Sequence, residues 1–245
     1  MKVCACVANF VGKELALFLT KSKHDIEFVI TCEDDPYEEE IYNIFSEAGI
    51  KCHRKLDVNS PEFIEMLNGI DMGFLLWWPT ILKKEVIESV KHGFVNLHPS
   101  YLPYNRGKHP YYWSIVEGTP AGVTLHFIKP GIDDGDILFQ QEIETSITTT
   151  GEELYNNSLV AIIDLFKEKY QDIIDMKYTP IKQKEDDGSF HWGCDLDKHS
   201  EIDLEKSYKA KDLLNIIRAR TFNGSSSSYF VQDNKKYYIN LKIYE

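Results

Sequence analysis

The chain has 245 residues, of which 43% are hydrophobic, so it can bury a folded core and wholesale disorder is excluded. Its formal net charge of −12 argues against a general nucleic-acid binder, because phosphate contacts need a basic surface. No uncharged stretch approaches the length of a membrane-spanning helix, and the apolar run that opens the sequence is too short for a secretory signal. We therefore expect a cytoplasmic protein that binds neither nucleic acid nor membranes.

Strands and helices alternate along the first part of the sequence. Apolar runs predict buried strands at residues 2–8, 25–32 and 71–78, a weaker strand at 51–56, and another strand that begins at Phe94. Amphipathic patterns predict helices at residues 12–22, 36–49, 61–69 and 81–93. This alternation predicts an α/β fold, in which a Rossmann-like, mainly parallel sheet is flanked by helices.

The rest of the sequence continues this pattern and then changes character. It predicts helices at 108–118, 151–176 and 207–222, strands at 121–128 and 137–144, and a β-hairpin at 228–244. Residues 182–203 are polar and rich in turn formers, which is typical of a linker or surface loop. We expect a main domain over 1–180, a linker over 181–206, and a small subdomain of one helix and a β-hairpin over 207–245.

The stretch FVNLHPSYLP (94–103) places polar side chains at the end of a predicted strand. Asn96 and His98 are two residues apart, so their side chains leave the strand in the same direction, and Pro99 ends it. In open α/β sheets, ligands bind at the carboxyl ends of the strands. The acidic turn GIDDGD (131–136) follows another predicted strand, and the sheet could bring it beside this pair.

These residue types suit acid–base chemistry. A histidine that is oriented by a carboxylate can act as a general base, and an asparagine amide can donate a hydrogen bond to a developing oxyanion. Each residue taken alone is more often structural, since buried polar groups usually just find hydrogen-bond partners. Their combination and order favour catalysis. Spacing alone does not choose between Asp133 and Asp134 for the acidic role.

The segments FVNLHPSYLPYNRGKHPYYWSIVEG and GVTLHFIKPGIDDGDIL resemble the signature of the 10-formyltetrahydrofolate-dependent formyltransferase family. The resemblance implies a formyltransferase whose catalytic group is Asn96, His98 and Asp133, with Gly135 closing a D-x-G turn. It also implies 10-formyltetrahydrofolate as the co-substrate. No metal is expected, and the five cysteines lack CxxC spacing, which argues against a zinc site or a disulfide framework.

The stretch LLWWPTIL (75–82) is similar to the family segment that holds the pterin ring of the folate. The resemblance implies a set of folate-binding residues on this segment and on the acidic turn. They are Trp78, Pro79, Thr80, Leu82, Gly131 and Ile132. For the tryptophans of this segment, packing in the core is the competing explanation, and packing and binding do not exclude each other.

Within the family, three features resemble the sugar N-formyltransferases: LPYNRGKHPYYW, the WWP stretch, and LLNIIRARTFNGSSSSYF with the hairpin that follows. They imply transfer to the amine of a nucleotide-linked amino sugar, with dTDP-4-amino-4,6-dideoxyglucose as the first candidate, for bacterial surface polysaccharide synthesis. A dTDP-3-amino-3,6-dideoxy sugar and glycinamide ribonucleotide are the alternatives. A methionyl-tRNA formyltransferase is expected to have a longer C-terminal barrel and a basic surface. A non-catalytic folate or nucleotide-sugar binder is the hypothesis from another class.

Seven residues are candidates for substrate contacts. Arg106, Lys108 and His109 could face the sugar or pyrophosphate, Asn9 and Lys13 lie at a predicted helix N-terminus, and Phe222 and Tyr229 could stack on thymine. Each of these also has a structural explanation, in a solvated basic loop, a helix start or the hairpin core. The run Gly224–Ser228 predicts a loop beside the ligand. Family members commonly form dimers, so we expect a homodimer.

Overall fold

The computed structural model describes residues 1–22, 24–184, 187–223 and 227–244, so part of the predicted serine-rich loop, residues 224–226, lies outside the described residues. The strands are β1 (Lys2–Val7), β2 (Asp25–Thr31), β3 (Cys52–Arg54), β4 (Met72–Leu76), β5 (Phe94–His98), β6 (Arg106–Gly107), β7 (Gly122–Phe127), β8 (Ile137–Glu142), β9 (Phe190–His191), β10 (Ser228–Gln232) and β11 (Lys235–Ile239). The helices are α1 (Asn9–Leu19), α2 (Glu38–Glu47), α3 (Pro61–Met66), α4 (Lys84–Ile87), α5 (Pro110–Glu117), α6 (Gly151–Ile174), α7 (Asp195–Ser200) and α8 (Ala210–Ala219).

Seven strands form one sheet in the order β3-β2-β1-β4-β5-β7-β8. Strand β1 pairs in parallel with β2 and β4, and β4 pairs in parallel with β5. Val7, Phe74 and Phe94 on the central strands are fully buried, as expected for parallel strands that are covered on both faces. The predicted mainly parallel sheet flanked by helices is confirmed. In this order β5 and β7 are neighbours, and the amide of Ile128, which follows β7, donates to the carbonyl oxygen of Phe94 at the start of β5 at 2.8 Å.

The segment before α4 departs from the prediction of a helix over 81–93. Helix α4 is a single turn, and Lys83 before it has an extended backbone. The side chain of Asn59 holds this segment: its Nδ2 donates to the Ile81 carbonyl oxygen at 2.9 Å, and its Oδ1 accepts from the Lys83 amide at 2.7 Å. A distant asparagine therefore satisfies backbone groups that the predicted helix would have used, and periodicity cannot reveal it.

Short elements also lie in the segment that was predicted to be a linker. Helix α7 has one buried apolar residue, Leu196, which belongs to a core cluster with Tyr112, Trp113 and Ala219. A six-residue helix with one buried apolar side chain has no amphipathic pattern to detect. The predicted C-terminal hairpin is confirmed, because β10 and β11 pair antiparallel across Asp233 and Asn234, both with positive φ.

The described residues divide into two compact units. One comprises residues 1–98, 125–139 and 162–183, and the other comprises 99–124, 140–161 and 184–245. The division at residues 180 and 206 stays a prediction. Within the described ranges, no helix is both long and apolar enough to cross a membrane.

Candidate active site

The end of β5 carries the two polar side chains that the sequence analysis selected. Asn96 is half-buried and His98 is 5% exposed, and both lie in the first compact unit. The strand ends at His98 because the next residue is Pro99, which cannot donate a ladder hydrogen bond. The apolar neighbours Val95 and Leu97 are buried in the core and fix the direction in which the polar pair points.

A second histidine, His126 near the end of β7, completes this part of the site. Its Nε2 lies 3.2 Å from Asn96 Nδ2, and its Nδ1 lies 2.8 Å from the carbonyl oxygen of Phe127. Because a carbonyl only accepts, Nδ1 carries the proton and Nε2 accepts from the Asn96 amide. One Nδ2 hydrogen of Asn96 is therefore fixed by His126, which sets the orientation of the amide.

His126 is held in its neutral form. The ring is fully buried, and this burial lowers its pKa from 6.5 to about 4, although the nearby Asp133 carboxylate opposes the shift. The ring must be neutral, because Nε2 of His126 can accept the hydrogen bond from Asn96 only while it carries no proton. The sequence analysis did not select His126, and the one signal that could have found it was an ionisable side chain within the predicted strand at 121–128.

The acidic turn after β7 brings Asp133 to the two histidines. Asp133 Oδ2 lies 3.5 Å from His98 Nδ1, and Asp133 Oδ1 lies 3.6 Å from His126 Nε2. The Asp134 carboxylate instead packs against Gly131, where a Cβ atom would collide with it. Of the two adjacent carboxylates, Asp133 is therefore the one placed to orient His98.

The backbone of this turn needs glycine at Gly135. A Cβ atom there would overlap the carbonyl oxygen of Phe127 on β7. Asp133 itself has φ 53°, in the left-handed region. The turn therefore folds tightly back onto β7, and this brings the Asp133 carboxylate toward β5.

The predicted folate segment follows β4 in the same compact unit. Trp78 is half-buried and packs against the core, and its Nε1 is buried without a hydrogen-bond partner among the described residues. Leu82 is buried in the same cluster, whereas Pro79 and Thr80 are exposed. On the acidic turn Gly131 is exposed and Ile132 is half-buried. A buried, unsatisfied donor beside exposed residues is compatible with a ligand that has polar ring edges.

The start of α1, where Asn9 and Lys13 were candidates for anion contacts, is occupied by acidic side chains of the chain itself. The Asn9 backbone amide donates to a carboxylate oxygen of Asp35. Lys13 Nζ pairs with Glu40 at 3.4 Å and lies 4.9 Å from the ring centroid of Tyr37. A phosphate at this helix start would have to displace the Asp35 carboxylate.

The basic loop before α5 lies in the second compact unit. Arg106 Nη2 donates to the Asp187 carbonyl oxygen at 3.1 Å, and the Lys108 amide donates to the His191 carbonyl oxygen at 3.0 Å. His109 has φ 59° and immediately precedes α5. Burial, followed by the positive charges of Arg220 and Lys108, lowers the pKa of His109. The loop is thus ordered by residues 187–191, which were predicted to be a linker.

The two aromatic candidates of the second unit lie in different surroundings. The Phe222 ring packs edge-on against Tyr111, with 5.4 Å between the centroids. The Tyr229 hydroxyl donates to Glu201 Oε2 at 3.2 Å, and Lys236 Nζ lies 3.6 Å from the centre of its ring. Both rings therefore contribute to the packing of this unit. No group of three or more His, Cys, Asp or Glu side chains within the described ranges could hold a metal ion.

Comparison with known proteins identifies the family of both parts of the chain. Residues 14–161 match the model described as formyl transferase, and residues 195–245 match the N-formyltransferase dimerization C-terminal domain. A curated relative, the methionyl-tRNA formyltransferase of Clostridium novyi, is 35% identical over 189 residues, which cover 76% of this chain. The chain spans 58% of the length of that relative.

Solved structures share the fold over nearly the whole chain. A 4-N formyltransferase from Francisella tularensis is 23% identical with a TM-score of 0.83, over 100% of this chain and 98% of its own. An N-formyltransferase from Helicobacter canadensis, solved with folinic acid and dTDP-3-aminofucose, is 25% identical with a TM-score of 0.71. That similarity covers 96% of this chain and 86% of the Helicobacter chain.

Proposed function

The chain belongs to the formyl transferase family, and we propose that it transfers a formyl group from 10-formyltetrahydrofolate to the amine of a nucleotide-linked amino sugar. The observation that carries this proposal is the meeting of Asn96, His98 and Asp133 at the end of β5. This group supplies an oxyanion donor, a proton acceptor and a carboxylate that orients it, and no separate nucleophile is needed because the substrate amine attacks.

In the proposed reaction, the neutral amine attacks the formyl carbon, and the carbonyl oxygen gains negative charge. Asn96 donates its second Nδ2 hydrogen to this oxyanion, since His126 accepts the first. A preorganised donor of this kind lowers the barrier by roughly 3 kcal/mol. His98 Nε2 accepts the amine proton while Asp133 faces Nδ1 at 3.5 Å. The carbon–N10 bond then breaks, and His98 returns the proton to N10 of tetrahydrofolate.

The folate would occupy the segment after β4 and the acidic turn. The apolar side chains of Trp78, Leu82 and Ile132 would form walls for the pterin, and the exposed residues Pro79, Thr80 and Gly131 would supply hydrogen-bonding groups. Trp78 Nε1, which has no partner within the described part of the chain, supports the presence of a polar ligand edge. The Helicobacter neighbour, at 25% identity, was solved with folinic acid, which supports the same class of co-substrate here.

For the acceptor, dTDP-4-amino-4,6-dideoxyglucose is the first candidate and a dTDP-3-amino-3,6-dideoxy sugar is the alternative. The Helicobacter neighbour was also solved with dTDP-3-aminofucose, which supports a sugar amine as the acceptor. Arg106, Lys108 and His109 would face the sugar or pyrophosphate, and Phe222 and Tyr229 the thymine. The product would serve bacterial surface polysaccharide synthesis, and the enzyme would act as a cytoplasmic homodimer without nucleic acid or membrane partners.

Two other acceptors compete with the sugar. Initiator methionyl-tRNA is favoured by the 35% identity to the Clostridium novyi enzyme, but the net charge of −12 is unfavourable for tRNA. Glycinamide ribonucleotide needs a phosphate site, and the Asp35 carboxylate already accepts a hydrogen bond from the backbone amide of Asn9 at the start of α1. The sugar therefore remains the first choice.

The proposal is tested by incubating the protein with 10-formyltetrahydrofolate and each acceptor separately, and measuring product mass. The acceptors are the dTDP-linked 4-amino and 3-amino dideoxy sugars, glycinamide ribonucleotide and methionyl-tRNA. We expect the gain of one formyl group on a dTDP-sugar, and the reactive isomer identifies the amine position. Formylation of the ribonucleotide alone, or of the tRNA alone, would overturn the sugar assignment.

A further inference from the structure

Gln183, which lies far from the acidic turn in sequence, forms hydrogen bonds with the backbone of the turn that carries Asp133. Gln183 Nε2 donates to the carbonyl oxygen of Asp133 at 2.9 Å and to that of Gly135 at 2.7 Å. Both bonds join residues that are about fifty positions apart, and all three residues belong to the first compact unit. The two hydrogen bonds therefore cross-link the turn to the segment after α6.

The orientation of the Gln183 amide follows from its partners. Carbonyl oxygens only accept hydrogen bonds, so both must face the NH₂ group of the amide. The other atom of the amide, Gln183 Oε1, is buried without a hydrogen-bond partner among the described residues. Leaving a buried acceptor unpaired costs free energy. In the structure both amide hydrogens of Gln183 nevertheless bind the turn.

Gln183 is itself placed by the edge of the sheet. Two residues earlier, Ile181 exchanges backbone hydrogen bonds with Ile137 of β8, at 2.8 and 2.9 Å. The Gln183 side chain then reaches back to the turn that precedes the same strand. The turn is thus held from two sides: Gly135 packs on the Phe127 carbonyl, and Gln183 binds the carbonyls on either side of Asp134.

We propose that Gln183 is a positioning residue for formyl transfer, because its amide fixes the backbone of Asp133 and thereby the carboxylate that orients His98. The inference rests on the proposed function, in which Asp133 acts through His98. The Asp133 carboxylate lies 3.5 Å from one imidazole and 3.6 Å from the other, so a small displacement of the backbone would move it away from both. Gln183 acts through this geometry and touches no reacting atom.

The test replaces the amide of Gln183 by groups of similar size. In Gln183→Met both donors are lost, and in Gln183→Glu a carboxylate opposes two carbonyl oxygens. We expect kcat for the sugar to fall about 10²-fold in Gln183→Met, as for a misplacement of about 1 Å, and further in Gln183→Glu. The KM for the sugar stays within about twofold, because no sugar contact is removed.

Gln171→Met on α6 is the matched control. The amide of Gln171 forms hydrogen bonds with Asp175 and His24, and we expect this variant to keep wild-type kcat.

A double-mutant cycle separates positioning from general destabilisation. If Gln183 acts through Asp133, Gln183→Met costs much less when Asp133→Asn is already present. Equal losses in both backgrounds, or unchanged kcat in Gln183→Met and Gln183→Glu, would overturn the inference. Circular dichroism verifies that each variant is folded.

A second readout does not depend on the acceptor. We expect the imidazole ¹⁵N signals of His98 and His126 to shift in Gln183→Met and to stay unchanged in Gln171→Met. Unchanged signals in Gln183→Met would contradict the inference. Failure of the proposed function is distinguishable from failure of this inference. In the former case the wild-type enzyme formylates no dTDP-sugar, but the imidazole signals still show whether Gln183 positions Asp133.

Discussion

At the scale of single residues, the central feature is the hydrogen bond from Asn96 to His126. It leaves one amide hydrogen of Asn96 for the proposed oxyanion and prevents the amide from turning. In His126→Gln the side-chain oxygen can replace Nε2 as acceptor, whereas His126→Leu offers none. We expect kcat to fall about tenfold in His126→Leu, the cost of one hydrogen bond, and much less in His126→Gln. Steady-state kinetics checks this, and equal losses in the two variants would contradict it.

The buried ring of His126 also predicts a dependence of stability on pH. Its folded-state pKa is lowered from 6.5 to about 4, so the unfolded chain binds more protons between these values and the unfolding free energy decreases as pH falls. The contribution is of the order of 3 kcal/mol over this window. Urea unfolding of wild-type protein and His126→Gln at pH 7 and pH 4 measures it. We expect the variant to lose less stability, and an equal loss would contradict the assignment.

The sequence predicted the polar pair on β5 but did not find His126 or Gln183. Asn96 and His98 are found by their spacing, because strand geometry fixes that their side chains point the same way. His126 and Gln183 act through partners that lie 30 and 50 residues away along the chain. Such contacts depend on which strands become neighbours, and a lone histidine in a strand is usually structural. That Asp133 lies beside His98 likewise depends on the fold of the turn, which spacing along the sequence does not reveal.

At the scale of elements, the turn between β7 and β8 depends on Gly135. A Cβ atom in Gly135→Ala would overlap the Phe127 carbonyl oxygen, so the turn must move. We expect a loss of about 1–3 kcal/mol in stability and a large decrease in kcat, because Asp133 moves with the turn. Gly193→Ala is the control, since its nearest atom would be Lys108 Cγ at 3.8 Å. Thermal unfolding and kcat test this, and wild-type behaviour of Gly135→Ala would contradict it.

Elements with strong patterns could be predicted, and elements held by distant side chains could not. The order of strands and helices up to β5 follows from alternating apolar runs, which is why the parallel sheet was predictable. The single turn of α4 and the helix α7 were not, because Asn59 holds the segment before α4, and α7 is held by Leu196 and by the hydrogen bond between His199 and Tyr112 of α5. In both cases the deciding contact comes from another part of the chain.

At the scale of the whole molecule, the C-terminal region is the proposed dimer interface. Residues 195–245 match a dimerization domain, and Tyr237 and Tyr238 on β11 are 44% and 62% exposed. Because Tyr237 and Tyr238 are consecutive residues of a strand, their side chains point to opposite faces of the hairpin, and a substitution at each position tests whether that face lies in the interface. We expect a dimer in solution, and Tyr237→Glu or Tyr238→Glu to convert it to a monomer. Analytical ultracentrifugation tests this, and a wild-type monomer would contradict it.

The central claim is that the group at the end of β5 transfers a formyl group to a sugar amine. The most direct test is a single turnover with ¹³C-labelled 10-formyltetrahydrofolate and dTDP-4-amino-4,6-dideoxyglucose, using the wild-type protein and Asn96→Ala/His98→Ala. We predict that the label appears on the sugar amine, and that the double variant is slower by about 10³-fold or more while it still binds the dTDP-sugar. A label that stays on the folate with wild-type protein, or transfer at the same rate by the double variant, would contradict the account.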